Sequence, residues 1–220
     1  MRLRAGIVVM ALAAVVGCGG GGSTDAGTWE PEPDPTPVVV ESPKPATHEG
    51  RLPTRELQGR WWSWVAAEPL ETNPYSDPDG SQCGRNQGSD VWFLAGATGG
   101  SPERVCDVPA GQPIAFPVVN THGSREDCAD FMYRARGIAR LNGDDLAVEE
   151  YHGEEITITG KAGNPVVDPG TTSSIACGLW VQLPPLDPGK HSVEIFGESW
   201  DLKVKLGYTL TVKAGPAVRA

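Results

Sequence analysis

The chain has 220 residues, 39% hydrophobic and 21% charged, with 28 glycines and 20 prolines. That gives room for one domain of ordinary size plus extended tails. Its formal net charge of -10 repels nucleic-acid phosphates and disfavours attachment to anionic lipid by charge alone, so nucleic acid is set aside as a partner.

The N-terminus carries Arg2 and Arg4, then an apolar run from Ala5 to Val16 broken only by Gly6. A membrane-crossing helix needs about 20 apolar residues, so this run reads instead as an export signal over residues 1–17. "VVGC" (Val15 to Cys18) resembles the lipobox of bacterial lipoproteins. The resemblance implies cleavage before Cys18, a diacylglycerol thioether on its sulfur, and attachment to the cell membrane or outer membrane. The plainer alternative is an ordinary signal that leaves Cys18 as an incidental thiol. Residues 18–50 then form a glycine- and proline-rich tether, "PEPDPTP" favouring polyproline II, with His48 inside it.

From Arg51 to Lys213 the chain reads as a folded head, followed by a short tail at 214–220. "TRELQGRWWSWVAAEP" sets Leu57, Trp61, Trp64 and Val65 at helical spacing, with Thr54 as cap and Pro69 as terminator. "VWFLAG" and "ERVCDVP", separated by Gly-Gly-Ser-Pro, suggest a hairpin. "IAFPVVN" contains Pro117, which cannot donate to a ladder and marks an edge or bulged strand. "SREDCADFMYRARG" predicts a second helix, capped by Ser124 and Asp127, with Cys128, Phe131, Met132 and Ala135 inward and Gly137 at its end. "LWVQL" and "HSVEIF" read as strands joined by a type II turn at "DPGK". "LKVKLGYTLTVK" alternates without a break, placing Leu202, Val204, Leu206, Tyr208, Leu210 and Val212 on one face. A period of two held that long means one buried face and one wet face. The expectation is an antiparallel β-sandwich of immunoglobulin or jelly-roll type with two short helices.

Cys83, Cys106, Cys128 and Cys177 form an even set in a chain read as exported, which points to disulfides. Three pairings are open; Cys83–Cys106 and Cys128–Cys177 best fit the element positions. Spacing for a zinc site is missing. Asp77, Asp79 and Asp90 could hold a structural calcium, and Glu150 with His152 a divalent cation, but a turn-rich loop and a solvated acidic turn explain them more simply. No cofactor is expected.

The ordered stretches "WWSW", "NPYSDPDGSQCGRNQ", "VWFLAG", "ERVCDVPAG", "IAFPVVN" and "LPPLDPGKHSVEIFG" resemble a group of bacterial secreted proteins and lipoproteins of unassigned activity. The resemblance implies an exported β-rich domain and brings no catalytic residues. No G-x-S-x-G, H-E-x-x-H or P-loop occurs. His122, near Ser124 and Asp127, has the residue types of a triad, but triads converge from separate elements and a helix cap accounts for these three. Six tryptophans belong to the head, and Trp62 and Trp200 fit their local patterns least well, so they are the ones expected at the surface. The functional expectation is a non-enzymatic module that binds an envelope protein or glycan. The alternatives are a hydrolase built on His122 or His152 with distant acids, and a structural envelope component.

Overall fold

A computed structural model describes residues 47–97 and 100–213. The signal segment, Cys18, most of the tether and the tail lie outside the described residues. The order is α1 (Thr54–Val65), β1 (Trp92–Phe93), β2 (Glu103–Val108), β3 (Ile114–Gly123), α2 (Arg125–Arg134), β4 (Arg136–Leu141), β5 (Asp144–Asp145), β6 (Glu149–Gly160), β7 (Gly170–Leu183), β8 (Gly189–Ser199) and β9 (Leu202–Val212). The strands form a β-sandwich of a four-stranded sheet, β1-β3-β7-β6, and a five-stranded sheet, β2-β9-β8-β4-β5. Among the described residues no helix is long and apolar enough to cross a membrane.

β9 buries Val204, Leu206, Tyr208, Leu210 and Val212 against the facing sheet, as its alternation requires. The two sheets approach closely where Gly137 of β4 pairs with Gly197 of β8. A Cβ on Gly137 would strike the Val118 side chain, and one on Gly197 the Val118 carbonyl. Val118 stands at the bulge of β3, between Pro117 and Val119, so Pro117 sits at a register shift rather than in a regular ladder. α2 spans the end of the sandwich. Ser124 Oγ accepts from the Asp127 N–H and the Asp127 carboxylate accepts from the Ser124 N–H, a complete capping box. Cys128 ties α2 to Cys177 of β7, and Cys83 is joined to Cys106 of β2.

α1 covers the outer face of the four-stranded sheet. Leu57, Trp61, Trp62 and Val65 pack on Ala115, Ile156, Ile158, Ala176 and Trp180. Trp61 meets Trp180 edge to face at 5.6 Å. The helix also masks the free edge of β6: the Thr159 N–H donates to Ser63 Oγ, and the Lys161 N–H to the Ala66 carbonyl.

Several local expectations are corrected. Pro53, not Thr54, precedes the helix, and the Thr54 hydroxyl donates to Glu154 instead. The helix ends at Val65, a turn before Pro69, and α2 ends at Arg134, before Gly137, which belongs to β4. β1 and β2 do not form a hairpin. They enter different sheets and each runs parallel to its partner, β1 along β3 and β2 along β9, so both sheets are mixed rather than antiparallel. β7 and β8 likewise lie in different sheets, and "DPGK" is a crossing between layers, with β8 starting at Gly189. His48 contacts the head: its Nε2 lies 3.3 Å from the Gln182 carbonyl.

The feature least visible in the sequence is Arg104, 2% exposed on the inward face of β2. Its guanidinium donates to the carbonyls of Tyr75, Asp77, Ala95 and Gly96 and to the Tyr208 hydroxyl. Among the described residues it forms no ion pair. Next to it, apolar Val105 faces solvent. Arg104→Met is expected to lower stability in urea by about 3 kcal/mol or more, because it orphans buried carbonyls. Val105→Thr should stay within about 0.5 kcal/mol of wild type. For the second bridge, whose cysteines are separated by 49 residues, Cys128→Ser with Cys177→Ser should cost about 4 kcal/mol in the same assay.

Candidate functional site

The histidine, acid and tryptophan candidates separate clearly. Ser124 and Asp127 are used by the α2 cap, and the hydrogen bonds of Ser124 hold the Asp127 carboxyl below its usual pKa. His122 turns elsewhere. Its Nδ1 lies 3.1 Å from Ser174 Oγ, its Nε2 3.4 Å from the Val166 carbonyl, and its ring stands against Trp62 at 4.5 Å. A groove of about 550 Å³ borders it, lined also by Asp168 and Thr172. This pocket does join a histidine to an acid. However, no carboxylate hydrogen-bonds the His122 ring among the described residues, and Ser174 Oγ lies 3.1 Å from both His122 Nδ1 and the Gly123 carbonyl. The imidazole therefore lacks the orienting acid of a triad.

Asp77, Asp79 and Asp90 do not converge. Asp77 is buried and accepts from the N–H groups of Asp79 and Gln82, while Asp79 accepts from the Ser81 N–H. Asp90 forms a two-pronged pair with Arg60, which depresses its pKa. Glu150 and His152 make an exposed pair, 3.3 Å apart. Their neighbour Glu149 is paired to Arg51 and accepts from the Tyr151 hydroxyl. Burial pushes Tyr151 up to about 12. Among the described residues, no three His, Cys, Asp or Glu side chains are grouped to hold a metal ion.

Trp62 is a correction: it is 5% exposed. Helical spacing assigns a single stripe to the sheet, but α1 is flanked on a second side. The Trp64 indole donates to the Arg85 carbonyl of the loop before β1, and Trp62 fills the space against His122. The buried arc of the helix therefore widens to take in Gln58 and all three tryptophans.

Trp200 is the one tryptophan exposed among the described residues, at 54%. It occupies the two-residue turn between β8 and β9, where Ser199 pairs with Leu202. Its φ is +50, in the left-handed region. Two-residue hairpins with positive φ at the first central position favour glycine, and a bulky residue there is strained. The indole N–H donates to the Asp130 carbonyl of α2 at 3.2 Å. The Arg134 guanidinium lies 4.9 Å from this ring and 5.1 Å from that of Tyr133, itself 76% exposed.

Arg134, Arg136, Glu198, Trp200, Asp201 and Lys203 line a hollow of about 260 Å³ at this tip. Through Arg136, Glu198 and Lys203 it adjoins a groove of about 530 Å³ on the outer face of the five-stranded sheet, where Ile138, Phe196 and Lys205 lie. Sequence reasoning picked out Trp200 but missed Tyr133, Arg134 and the lysines. The alternation of β9 gave Lys203 and Lys205 their outward direction, yet nothing local showed that α2 would end beside them.

Burial lowers the pKa of His122, so the folded state holds the ring neutral. The unfolded chain binds the extra proton first, so this contribution to stability is intact above about pH 6.5 and declines as pH falls below it. Hydrogen bonds hold the carboxylates of Asp90, Asp127 and Glu68 below the ordinary carboxylate range, so they act at lower pH. His122→Gln should therefore flatten the melting temperature between about pH 7 and pH 5.5, where wild type declines.

No protein-family model matches the chain, nor does any curated protein or solved structure, so its function rests on these residues.

Proposed function

We propose that this protein is a non-enzymatic binding module of the bacterial cell envelope, held to the membrane by lipid on Cys18 and engaging its ligand through the patch around Trp200. The two disulfides suit an oxidising compartment outside the cytosol. The segment before the head has the make-up of a tether, which would let the head reach a ligand away from the lipid.

The observation that carries this reading is the conformation of Trp200. A large aromatic side chain is held in solvent by a backbone that disfavours it. Strain of this kind costs about 1–3 kcal/mol, and it collects where a side chain must be presented. The indole is also oriented by Asp130 and flanked by Arg134. Exposed aromatic residues with an arginine beside them are the groups that dominate binding surfaces. Ser124, Asp127, Asp77, Asp79 and Asp90 are absorbed in a cap, turns and an ion pair, and no carboxylate hydrogen-bonds His122 among the described residues, which favours binding over hydrolysis.

Trp200→Gly tests the reading. If the indole is there for a ligand, the variant should melt at or above the wild-type temperature, since glycine removes the strain. Trp62→Ala, from the helix layer, should by contrast cost about 3–5 kcal/mol. A loss of several kcal/mol in Trp200→Gly would make the indole a structural group and end the proposal.

A further inference from the structure

The patch has a charge that the rest of the chain does not share. Four cations, Arg134, Arg136, Lys203 and Lys205, line the two adjoining hollows with only Glu198 and Asp201 among them. The chain as a whole carries a formal charge of -10. Arg136 lies 3.6 Å from Glu198, whereas Arg134, Lys203 and Lys205 make no ion pair among the described residues. Three cations are thus left facing solvent along a channel that starts at an exposed indole and continues past Ile138 and Phe196.

We propose that this channel takes an acidic polysaccharide, with one sugar ring stacked on Trp200 and successive carboxylate or phosphate groups meeting Arg134, Lys203 and Lys205. The proposal rests on the binding reading above and narrows it to a ligand class. Three features select this ligand. The surplus of positive charge calls for an anion. A flat indole at one end, with apolar Ile138 and Phe196 in the adjoining groove, suits the apolar faces of successive pyranose rings. Glu198 and Asp201 accept hydrogen bonds and would repel a surface bearing anions alone, so the ligand must bring hydroxyl donors as well. The last feature sets a glycan apart from an anionic membrane, which offers dense negative charge and few donors. The groove is also concave: β4 and β8 are drawn toward β3 at Gly137 and Gly197, and the hollow lies over that pair.

The test uses the full-length protein and follows tryptophan fluorescence. The probes are polygalacturonate, a glycerol-phosphate polymer, neutral dextran and vesicles of phosphatidylglycerol in phosphatidylcholine. The expected result is saturable binding of at least one acidic polymer. Its affinity should fall about tenfold or more in Trp200→Ala and in Lys203→Glu with Lys205→Glu, and should weaken as salt rises. Dextran should bind at least about tenfold more weakly. Because both lysines are exposed, the charge variant should keep the wild-type melt, and Tyr133→Ala gives a second surface variant. Equal binding of dextran with no effect of charge reversal would overturn the acidic specificity and leave the binding reading standing. Vesicle binding with inert polymers would replace the glycan with a membrane surface. Failure of both acidic polymers would end this proposal, while the Trp200→Gly melt judges the earlier one independently.

Discussion

One buried cation sets the architecture of this head. Arg104 points inward from β2, and its donors are met by four backbone carbonyls and one tyrosine hydroxyl. A desolvated charge is tolerated only when its donors are satisfied, so those carbonyls are held in place as firmly as the arginine. They come from the loop around Tyr75 and Asp77 and from the segment after β1, while Tyr208 belongs to β9. A single side chain therefore joins the loop after α1, the end of β1 and the parallel β2–β9 pair. Burial and this contact together make Tyr208 a core residue, with burial raising its pKa. The Cys83–Cys106 bridge, two residues along β2, fixes the same loop from the other side. With the loop secured, its Arg85 carbonyl receives the Trp64 indole, and α1 is flanked as well as covered.

This arrangement makes the two sheets unequal. The four-stranded sheet has α1 on its outer face, and the helix also occupies part of the free edge of β6. Among the described residues the five-stranded sheet has no helix on its outer face, which carries the polar half of β8 and β9. The Trp200 patch lies at the corner of that face, where α2 ends and the β8–β9 turn begins.

Much of the frame was legible because it depends on local periodicity. The alternation of β9, the amphipathic stripe of α1, the Ser124–Asp127 box and the even set of cysteines each answer to a rule within a few residues. The failures share a cause. In "ERVCDV" Val105 is outside and Arg104 inside, because Cys106 must reach Cys83 and a register slip of one would turn it outward. The supposed β1–β2 hairpin failed since turn residues show that the chain bends, not which sheet it rejoins. Trp62 was misplaced because the partner that buries it, His122 of β3, lies far along the chain. Asn142-Gly143, by contrast, joins β4 and β5 with both residues at positive φ, the expected chemistry for such a turn.

The comparison of those two turns gives the candidate site its meaning. The β4–β5 turn uses residues that accept left-handed backbone without strain, whereas the β8–β9 turn places a tryptophan there. The strained turn is supported from α2, through the Asp130 carbonyl on the indole and the Phe131 carbonyl on Ser199 Oγ. α2 is in turn pinned to β7 by Cys128–Cys177. The indole is thus oriented by the fold itself, which on the proposed reading reduces the ordering cost of binding. The patch shares a support with that disulfide, since α2 carries both Cys128 and the two carbonyls that hold the turn. The Arg104 junction is separate from this chain of supports, so the sandwich and its Trp200 corner rest on different constraints, one on the buried hydrogen bonds of Arg104 and the other on α2 with its bridge to β7.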